Sequence, residues 1–450
     1  MENIWQAISA GNDWLNEIVW GPVMIGLLIG TGIYASFRLG FPQIFKFGYV
    51  LKHTIGSIFS RSTGKEGEIS SSQAALTSMA AVVGTGNIVG VATAISMGGP
   101  GAIFWMWMAA FFGMATKFSE ITLGIYYREK RPNGEYAGGP MYYITHGIHQ
   151  RWAGVFFSIM IIIAFFVVGA VVDTNSIALC IEEQWNVPPI YTGVILSILS
   201  ALVILGGIKR IGEVCQYLTP LMGGLYIFTG LAIIILNISK VPELFEQIFT
   251  YAFKPMAATG GFMGSTIALT MRAGIARGIF SNEAGLGSSP IIHSSAKVDN
   301  PIEQSIWGII EVFLDTIVIC TITGLSILIS GLWTTDANGV ALTMRAFQSL
   351  VPFGDYVIVL SMALFGFSCL ISANYYCERA GDYLWGAKCL LPIRILWCIF
   401  IIIGSMGGLR FVWALADTCN GLMAIPNLIA LVCLMGQVAR LKKEYFAQSN

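Results

Sequence analysis

The sequence predicts an all-α protein that crosses a membrane many times. Only 11% of its 450 residues are charged, whereas 55% are hydrophobic. A soluble chain of this length would form two or three domains, and a typical soluble domain has about 25% charged residues. The formal net charge of zero also argues against nucleic-acid binding, which requires a basic face. A polytopic membrane protein is the class that remains.

Apolar runs of about 20 residues, the length that crosses a bilayer, mark the candidate spans. The chain has eleven such runs: 16–37, 72–97, 101–125, 152–181, 188–207, 213–237, 262–295, 302–331, 355–378, 390–408 and 411–438. With the N-terminus outside, 18 Lys and Arg fall in the inner segments and 4 in the outer ones. Because basic residues concentrate on the cytoplasmic side, we predict an outer N-terminus and a cytoplasmic C-terminus.

Two of these spans are interrupted by glycine clusters that also contain hydrogen-bonding residues. The second span holds GTGNIVG at 84–90, and the seventh, too long for one straight helix, holds SNEAGLGS at 281–288. The clusters are five spans apart, which is the spacing of a five-plus-five inverted repeat. We therefore divide the single domain 1–450 into an extra N-terminal span and two repeats, at 16–37, 72–237 and 262–438.

Broken helices at matching positions predict a binding site. Unwound backbone within a membrane leaves polar groups unpaired, at several kcal/mol each, unless they face a ligand or a water-filled cavity. Half-helix N-termini suit a carboxylate, and carbonyl groups suit a cation. The alternative is that these glycines are close-packing contacts between helices. A dinucleotide site at 84–90 is rejected because no strand precedes the G-x-G-x-x-G match.

Several motifs, in order along the chain, resemble the alanine or glycine:cation symporter family, the sodium:alanine symporters. They are GGPGAIFWMWMAAFFGMATKF at 98–118, GEYAGGPMYY at 134–143, RGIFSNEAGLGSSP at 277–290 and MAIPNLIA at 423–430. The resemblance implies the leucine-transporter-like fold of the amino acid–polyamine–organocation superfamily. It also implies amino acid import coupled to sodium across a plasma membrane, with alanine or glycine as the substrate.

The same resemblance implies which residues bind. The family's amino acid site corresponds to Thr85, Gly86 and Asn87 in the first break, with Ser281 and Asn282 in the second completing the cavity. Its sodium site corresponds to Gly84 in the first break and to the pair Ser368 and Cys369 in the ninth span. The expected partners are the amino acid, sodium and the lipid bilayer, with no cofactor besides the transported ion.

Three residues depart from the family pattern at expected substrate positions. Asp173 stands where the family has Gln, Ala373 where it has Trp, and Cys369 where it has a hydroxyl. Ala373 is expected to open space, and a buried Asp173 carboxylate costs about 2.5–3.5 kcal/mol unless it is paired or hydrated. A cationic side chain of the substrate, its ammonium group, a coupling proton or a hydrated vestibule would each compensate. The alternative function is therefore symport of a larger polar or cationic amino acid, and proton coupling is the alternative to sodium because a thiol is a soft ligand.

The other ionisable residues in the spans are expected to pair with one another. Arg272 and Arg277 are assigned to gating or structural ion pairs with Asp315, Glu311 or Asp417. Glu283 is expected either to cap the broken helix or to lie on an ion path, and Lys117 to snorkel from the inner end of its span.

Other functional classes lack sequence support. A channel would show a filter loop or rings of pore-facing charge. An enzyme would need a nucleophile with a base, and the spacing of Ser288, Ser289 and His293 does not establish one. A receptor that does not transport is separated from a transporter only by a flux assay. We therefore predict a secondary active transporter.

Overall fold

The computed structural model describes residues 2–57, 67–131, 134–257, 262–407 and 410–448. They form a bundle of helices with one short antiparallel hairpin, β1 Glu129–Lys130 and β2 Tyr136–Ala137. The helices are α1 Glu2–Val19, α2 Pro22–Arg38, α3 Pro42–Phe45, α4 Phe47–His53, α5 Ser71–Val82, α6 Val89–Gly98, α7 Gly101–Tyr126, α8 Pro140–Gly147, α9 Arg151–Phe165, α10 Thr174–Trp185, α11 Pro189–Ile204, α12 Gly207–Leu236, α13 Val241–Phe253, α14 Ile267–Asn282, α15 Ser289–His293, α16 Pro301–Val312, α17 Thr321–Ser330, α18 Gly339–Leu350, α19 Gly354–Trp385, α20 Leu390–Ser405 and α21 Arg410–Gln448.

The structure confirms the prediction of many apolar helices. Among the described residues, seven helices are long and apolar enough to cross a membrane, and the bent pair α5 and α6 makes an eighth. The count of eleven spans and the inverted repeat remain predictions. Two of the basic residues used to predict the orientation, Arg61 and Lys65, lie outside the described residues.

Two of the long spans contain a π-helical segment, in which each turn holds more residues than an α-helical turn. The segment Phe166–Asp173 joins α9 to α10, and the segment Phe313–Cys320 joins α16 to α17. The sequence analysis predicts neither segment, and it also misses the short helices α8, α13 and α18. The short helices were missed because they have 8 to 13 residues and are therefore too short to span.

The end of the bundle that carries the hairpin is joined by backbone pairing between distant parts of the chain. The Glu68 N–H donates to the Ser295 carbonyl and the Lys297 N–H to the Ile69 carbonyl, both at 2.8 Å. This pairing connects the start of α5 to the segment that follows α15, so the two broken spans are joined at one end.

Side chains tie the hairpin to the same end of the bundle. The Tyr136 N–H donates to Glu68 Oε1 at 3.0 Å, and burial raises the pKa of Glu68 to about 6 although this bond opposes the shift. Arg379 pairs with Glu135 at 2.9 Å, at the end of α19 that lies beside the hairpin. The hairpin therefore links both of the paired segments to α19.

Helix α14 packs closely on α7 because glycines line its contact face. A Cβ at Gly274 would meet Trp105 Cβ at 2.7 Å and would also collide with the Ala102 carbonyl. A Cβ at Gly278 would lie 3.3 Å from Met106 Cα. Small residues thus bring the backbones of the two helices together, as is common between membrane helices.

Replacing Gly274 by Ala is expected to lower the melting temperature of the purified protein in detergent. The added methyl group forces α14 away from α7, and overpacking of this kind costs about 1–3 kcal/mol. The matched control is Gly436→Ala in α21, where a Cβ meets no atom within 4 Å and Ala is the better helix former by about 1 kcal/mol. Equal melting temperatures for the two variants would contradict the predicted close contact.

Candidate functional site

The two predicted helix breaks are present, and they lie against each other. Between α5 and α6 the chain forms a single 3₁₀ turn, Thr85–Asn87, and the two helices are bent by 53°. Between α14 and α15, Glu283 has a left-handed backbone with φ of +56°. A Cβ at Gly86 would lie only 3.1 Å from Ser281 Cα. The sequence prediction that these residues meet is therefore correct.

The first break is held open by its own side chains. Asn87 Oδ1 accepts the Gly84 N–H at 2.8 Å, which would otherwise continue the hydrogen-bond ladder of α5. Gly84 has no room for a side chain because a Cβ there would collide with the Cys369 sulfur. The Ala80 carbonyl, which a continuing α5 would pair with the Gly84 N–H, is consequently free of that helical partner.

Two buried carboxylates bind the residues of this break. Thr85 Oγ1 donates to Asp173 Oδ1 at 2.6 Å, and Asn87 Nδ2 donates to Asp315 Oδ1 at 2.6 Å. Asp173 is 4% exposed and Asp315 fully buried. Within the part of the chain that the structure describes, neither carboxylate has a salt-bridge partner.

Asp315 also connects the two breaks, a role that sequence reasoning missed. The Ser281 hydroxyl from the second break lies 3.0 Å from both Asp315 oxygens. Thr316 Oγ1 donates to Asp315 Oδ2 at 2.6 Å and accepts from Asn282 Nδ2 at 3.1 Å. The sequence analysis considered Asp315 only as an ion-pair partner for an arginine, and that assignment is wrong. The one signal in the sequence was an acidic residue inside an apolar run.

Both carboxylates lie on the π-helical segments described above. Asp173 is the last residue of Phe166–Asp173, and Asp315 is the third residue of Phe313–Cys320. A π-helical turn widens the helix and displaces its side chains relative to an α-helix, and such turns are frequent at functional sites. The two segments therefore present their carboxylates to the same 3₁₀ turn, one to Thr85 and the other to Asn87.

The predicted sodium-binding pair meets the free end of α5. Ser368 Oγ donates to the Ala80 carbonyl at 2.9 Å, and Cys369 Sγ to the Ala81 carbonyl at 3.1 Å. Together with Gly84 these residues surround the C-terminal end of a half-helix, where the helix dipole favours a cation. The oxygens of this group are hard ligands, so the thiol need not coordinate a cation.

At the end of α14, Lys117 contacts the helix carbonyl end as Ser368 and Cys369 do at the end of α5. The prediction that Lys117 snorkels is wrong. Lys117 does not snorkel to an interface but is fully buried, and its ammonium group donates to the Asn282 carbonyl at 2.7 Å. It also lies 3.3 Å from Glu311 Oε2. The other Glu311 oxygen lies 2.5 Å from His293 Nε2.

The predicted ion pairs are found in part. Arg277 pairs with Asp417 at 3.0 Å, one of the partners expected for it. No ion pair joins Arg272 to any described residue, so its predicted pairing is wrong; it lines an open cleft of about 220 Å³ with Arg277 instead. Glu283 accepts a hydrogen bond from Ser288 across the second break. That donor is a hydroxyl and not a helix amide, so both the capping role and the ion path stay predictions.

The space beside Ala373 is filled on the side that faces Gly169. A Cβ at Gly169 would meet the Trp397 ring at 2.9 Å and the Ala373 Cβ at 3.3 Å. Trp397 is fully buried and comes from α20, one helix after Ala373. An indole that sequence reasoning did not consider therefore occupies part of the volume that Ala373 was expected to open.

Known proteins resemble this chain over almost its whole length. The profile of the sodium:alanine symporter family matches residues 5–450. The sodium/alanine symporter AgcS of Methanococcus maripaludis is 44% identical over 96% of each chain. The probable sodium/glutamine symporter GlnT of Bacillus subtilis is 37% identical over 97% of this chain and 90% of that protein.

Solved structures share the fold at low sequence identity. The crystal structure of MhsT in complex with L-phenylalanine aligns with a TM-score of 0.62 at 15% identity, over 85% of this chain and 93% of that one. A manganese transporter from Eremococcus coleocola aligns with a TM-score of 0.51 over 80% of this chain and 79% of that one. The family match, the relatives and the apolar helices agree: the chain belongs to the sodium:alanine symporter family and is a multi-pass membrane transporter rather than an enzyme.

Proposed function

We propose that this protein imports an amino acid together with sodium, with alanine as the first substrate to test. The observation that carries the proposal is the pair of facing helix breaks beside two buried carboxylates, Asp173 and Asp315, that have no salt-bridge partner among the described residues. Such a site suits a zwitterion, whose ammonium group faces the carboxylates while its carboxylate faces half-helix N-termini. The names of AgcS and GlnT support sodium-coupled transport of a neutral amino acid.

The architecture proposed for this function has eleven spans in a leucine-transporter-like inverted repeat. Span 16–37 stands outside the repeat, and 72–237 and 262–438 form its halves. The breaks after α5 and after α14 support the division because each interrupts the first span of a half. Alternating access then follows from rocking of one part of the bundle against the rest. We place the protein in the plasma membrane with its N-terminus outside.

In this proposal the substrate binds beside the two touching breaks, against Thr85–Asn87 and Ser281–Asn282, with Asp173 facing its ammonium group. Thr85 supports this role for Asp173, because its hydroxyl holds the carboxylate at the edge of the break. Asp315 ties the two breaks to each other through Asn87 and Ser281. A contact that the substrate makes at one break is thus transmitted to the other.

Sodium binds, in this proposal, at the end of α5. The ligands are the carbonyl groups of Ala80 and Ala81 and the Ser368 hydroxyl, with Gly84 and Cys369 completing the surroundings. One sodium ion entering down about 100 mV gains about 2.3 kcal/mol. At about 1.4 kcal/mol per tenfold, that energy supports roughly 50-fold accumulation of a neutral amino acid.

The test is uptake of labelled alanine into proteoliposomes that contain the purified protein. An inward sodium gradient is expected to drive accumulation, because the ion and the zwitterion bind together. Potassium in place of sodium, and liposomes without protein, are the controls. Equal uptake with either ion would contradict sodium coupling, and a pH gradient would then test the proton as the alternative ion.

Asp173 favours a second candidate, which is transport of a cationic amino acid such as lysine or ornithine. Its carboxylate is buried, accepts only the Thr85 hydroxyl and has no basic partner among the described residues. Partial filling beside Ala373 by Trp397 argues against a much larger cavity. Transport of a cationic amino acid is therefore favoured by the Asp173 carboxylate and not by the volume of the cavity beside Ala373.

Replacing Asp173 by Asn separates the two substrate classes. If Asp173 faces the ammonium group common to all amino acids, uptake of alanine falls by about tenfold or more, the value of a lost charge-assisted bond. If it faces a cationic side chain, lysine uptake falls and alanine uptake does not. The control is Asp336→Asn in an exposed loop. Full activity with both substrates would exclude both roles for Asp173.

Replacing Asp315 by Asn is expected to lower both the melting temperature and the alanine uptake. The substitution removes the charge that binds Asn87, Ser281 and Thr316, and loss of one buried charged partner costs about 1–3 kcal/mol. Thermal melting in detergent and proteoliposome uptake are measured beside Asp336→Asn. A variant that matches the control in both would show that Asp315 does not hold the breaks together.

A further inference from the structure

A basic cleft lies where α2 and α21 end, and none of the residues that line it belongs to a helix break. Its volume is about 590 Å³, and its walls are the end of α2, the junction of α3 and α4, and the last turns of α21. No acidic residue is among the described residues that line it. Four of them are basic, and they come from two distant parts of the chain: Arg38, Lys46, Lys442 and Lys443.

The positive charges of the basic cleft are not neutralised by the part of the protein that the structure describes. None of its four basic side chains forms a salt bridge with a described residue. Glu444, the acidic residue in the last turns of α21, instead lies 3.9 Å from Arg440, outside the cleft. Because like charges that are held close together repel one another, an anion that binds between them is stabilised.

Contacts between α21 and the segment that follows α2 hold the basic cleft in shape. The Lys442 ammonium group donates to the Leu39 carbonyl. The Lys46 ammonium group lies 4.5 Å from the centre of the Phe446 ring, and that ring packs edge-on against Tyr49 with 5.2 Å between centroids. Both lysines are therefore held in place by the protein itself, which lowers the entropic cost of binding an anion between them.

The rim of the basic cleft indicates that the anion belongs to a lipid. Phe37 lines the cleft and is 69% exposed, and Phe45, which precedes Lys46, is 76% exposed. The two helices that form the walls belong to candidate membrane spans that end here, at Arg38 and Gln448. Exposed apolar side chains beside basic ones at the end of a span suit the acyl chain and the phosphate of one molecule.

We propose that the basic cleft binds the head group of an anionic phospholipid. The phosphate lies between the four basic side chains, and an acyl chain runs along Phe37, so the lipid joins the extra N-terminal span to the last span. In the proposed topology this is the cytoplasmic leaflet, but the inference depends on neither the substrate nor the coupling ion. The competing explanation is that these residues only orient the chain in the membrane, and it predicts no preferred lipid.

The first experiment measures lipid binding to the unmodified protein. The protein is purified in a neutral detergent and titrated with phosphatidylglycerol or with phosphatidylcholine of the same acyl chains, and native mass spectrometry gives the dissociation constant of the bound lipid. We expect phosphatidylglycerol to bind about tenfold or more tightly, because only its head group has a net negative charge. Equal affinity for the two lipids would overturn the inference. Glycerol phosphate that binds as tightly as phosphatidylglycerol would also overturn it, by assigning the cleft to a soluble anion.

A pair of double variants then locates the site. Arg38→Gln with Lys443→Gln removes two charges from the basic cleft, and both side chains are exposed and form no described hydrogen bond, so the fold is expected to be kept. The affinity for phosphatidylglycerol is expected to fall about thirtyfold, because each basic residue near an anionic lipid contributes about fivefold. The matched control, Lys52→Gln with Lys388→Gln, removes the same charge from exposed positions that do not line the cleft.

Equal affinities in the two double variants would overturn the inference, because binding would then depend on net charge alone. Melting temperatures in detergent show that both variants are folded. Should the cleft variant not fold, Lys443→Gln alone is measured, and its affinity for phosphatidylglycerol is expected to fall about fivefold. An unchanged affinity in that single variant would overturn the inference.

Discussion

A cluster of buried carboxyl groups around two broken helices is the constraint on which the rest of this structure depends. Five carboxylates near the breaks are at most 7% exposed: Glu120, Asp173, Glu283, Glu311 and Asp315. Lys117 is the one lysine or arginine that contacts a break through a described hydrogen bond. Ionised carboxylates in a membrane need partners, and hydroxyl and amide donors stabilise them only in part. Asp173 and Asp315 have no salt-bridge partner among the described residues, and for this reason we propose that a cation and an ammonium group bind here together.

The sequence predicts the apolar helices and the two breaks because both depend on local composition. Length and apolarity identify a membrane helix, and glycines beside hydrogen-bonding residues identify a place where it unwinds. Length, apolarity and glycine clusters do not predict the short helices or the π-helical segments. A π-helical segment has the composition of the helix around it, so only the coordinates reveal that Phe166–Asp173 and Phe313–Cys320 are wound differently.

The candidate site is predictable where its residues lie in the breaks and unpredictable where they reach them from elsewhere. Gly86 does lie against Ser281, and Asn87 and Ser281 bind the same Asp315 carboxylate, as expected from two facing breaks. Asp315 contacts Asn87 across 228 positions, and Lys117 contacts Asn282 across 165. No spacing rule connects positions that far apart, so sequence reasoning could name these charges but not their partners.

The two π-helical segments make the site depend on the length of the chain as well as on its residues. The number of residues in each segment sets the direction in which its carboxylate points. Each residue of a helix turns the following side chains by about 100°, so one residue fewer in such a segment would turn the carboxylate away from Thr85 or Asn87. The neighbouring apolar side chains would be replaced by others of the same kind and would still suit lipid. A change in length within these spans can therefore remove the function and leave hydropathy, composition and apparent topology unaltered.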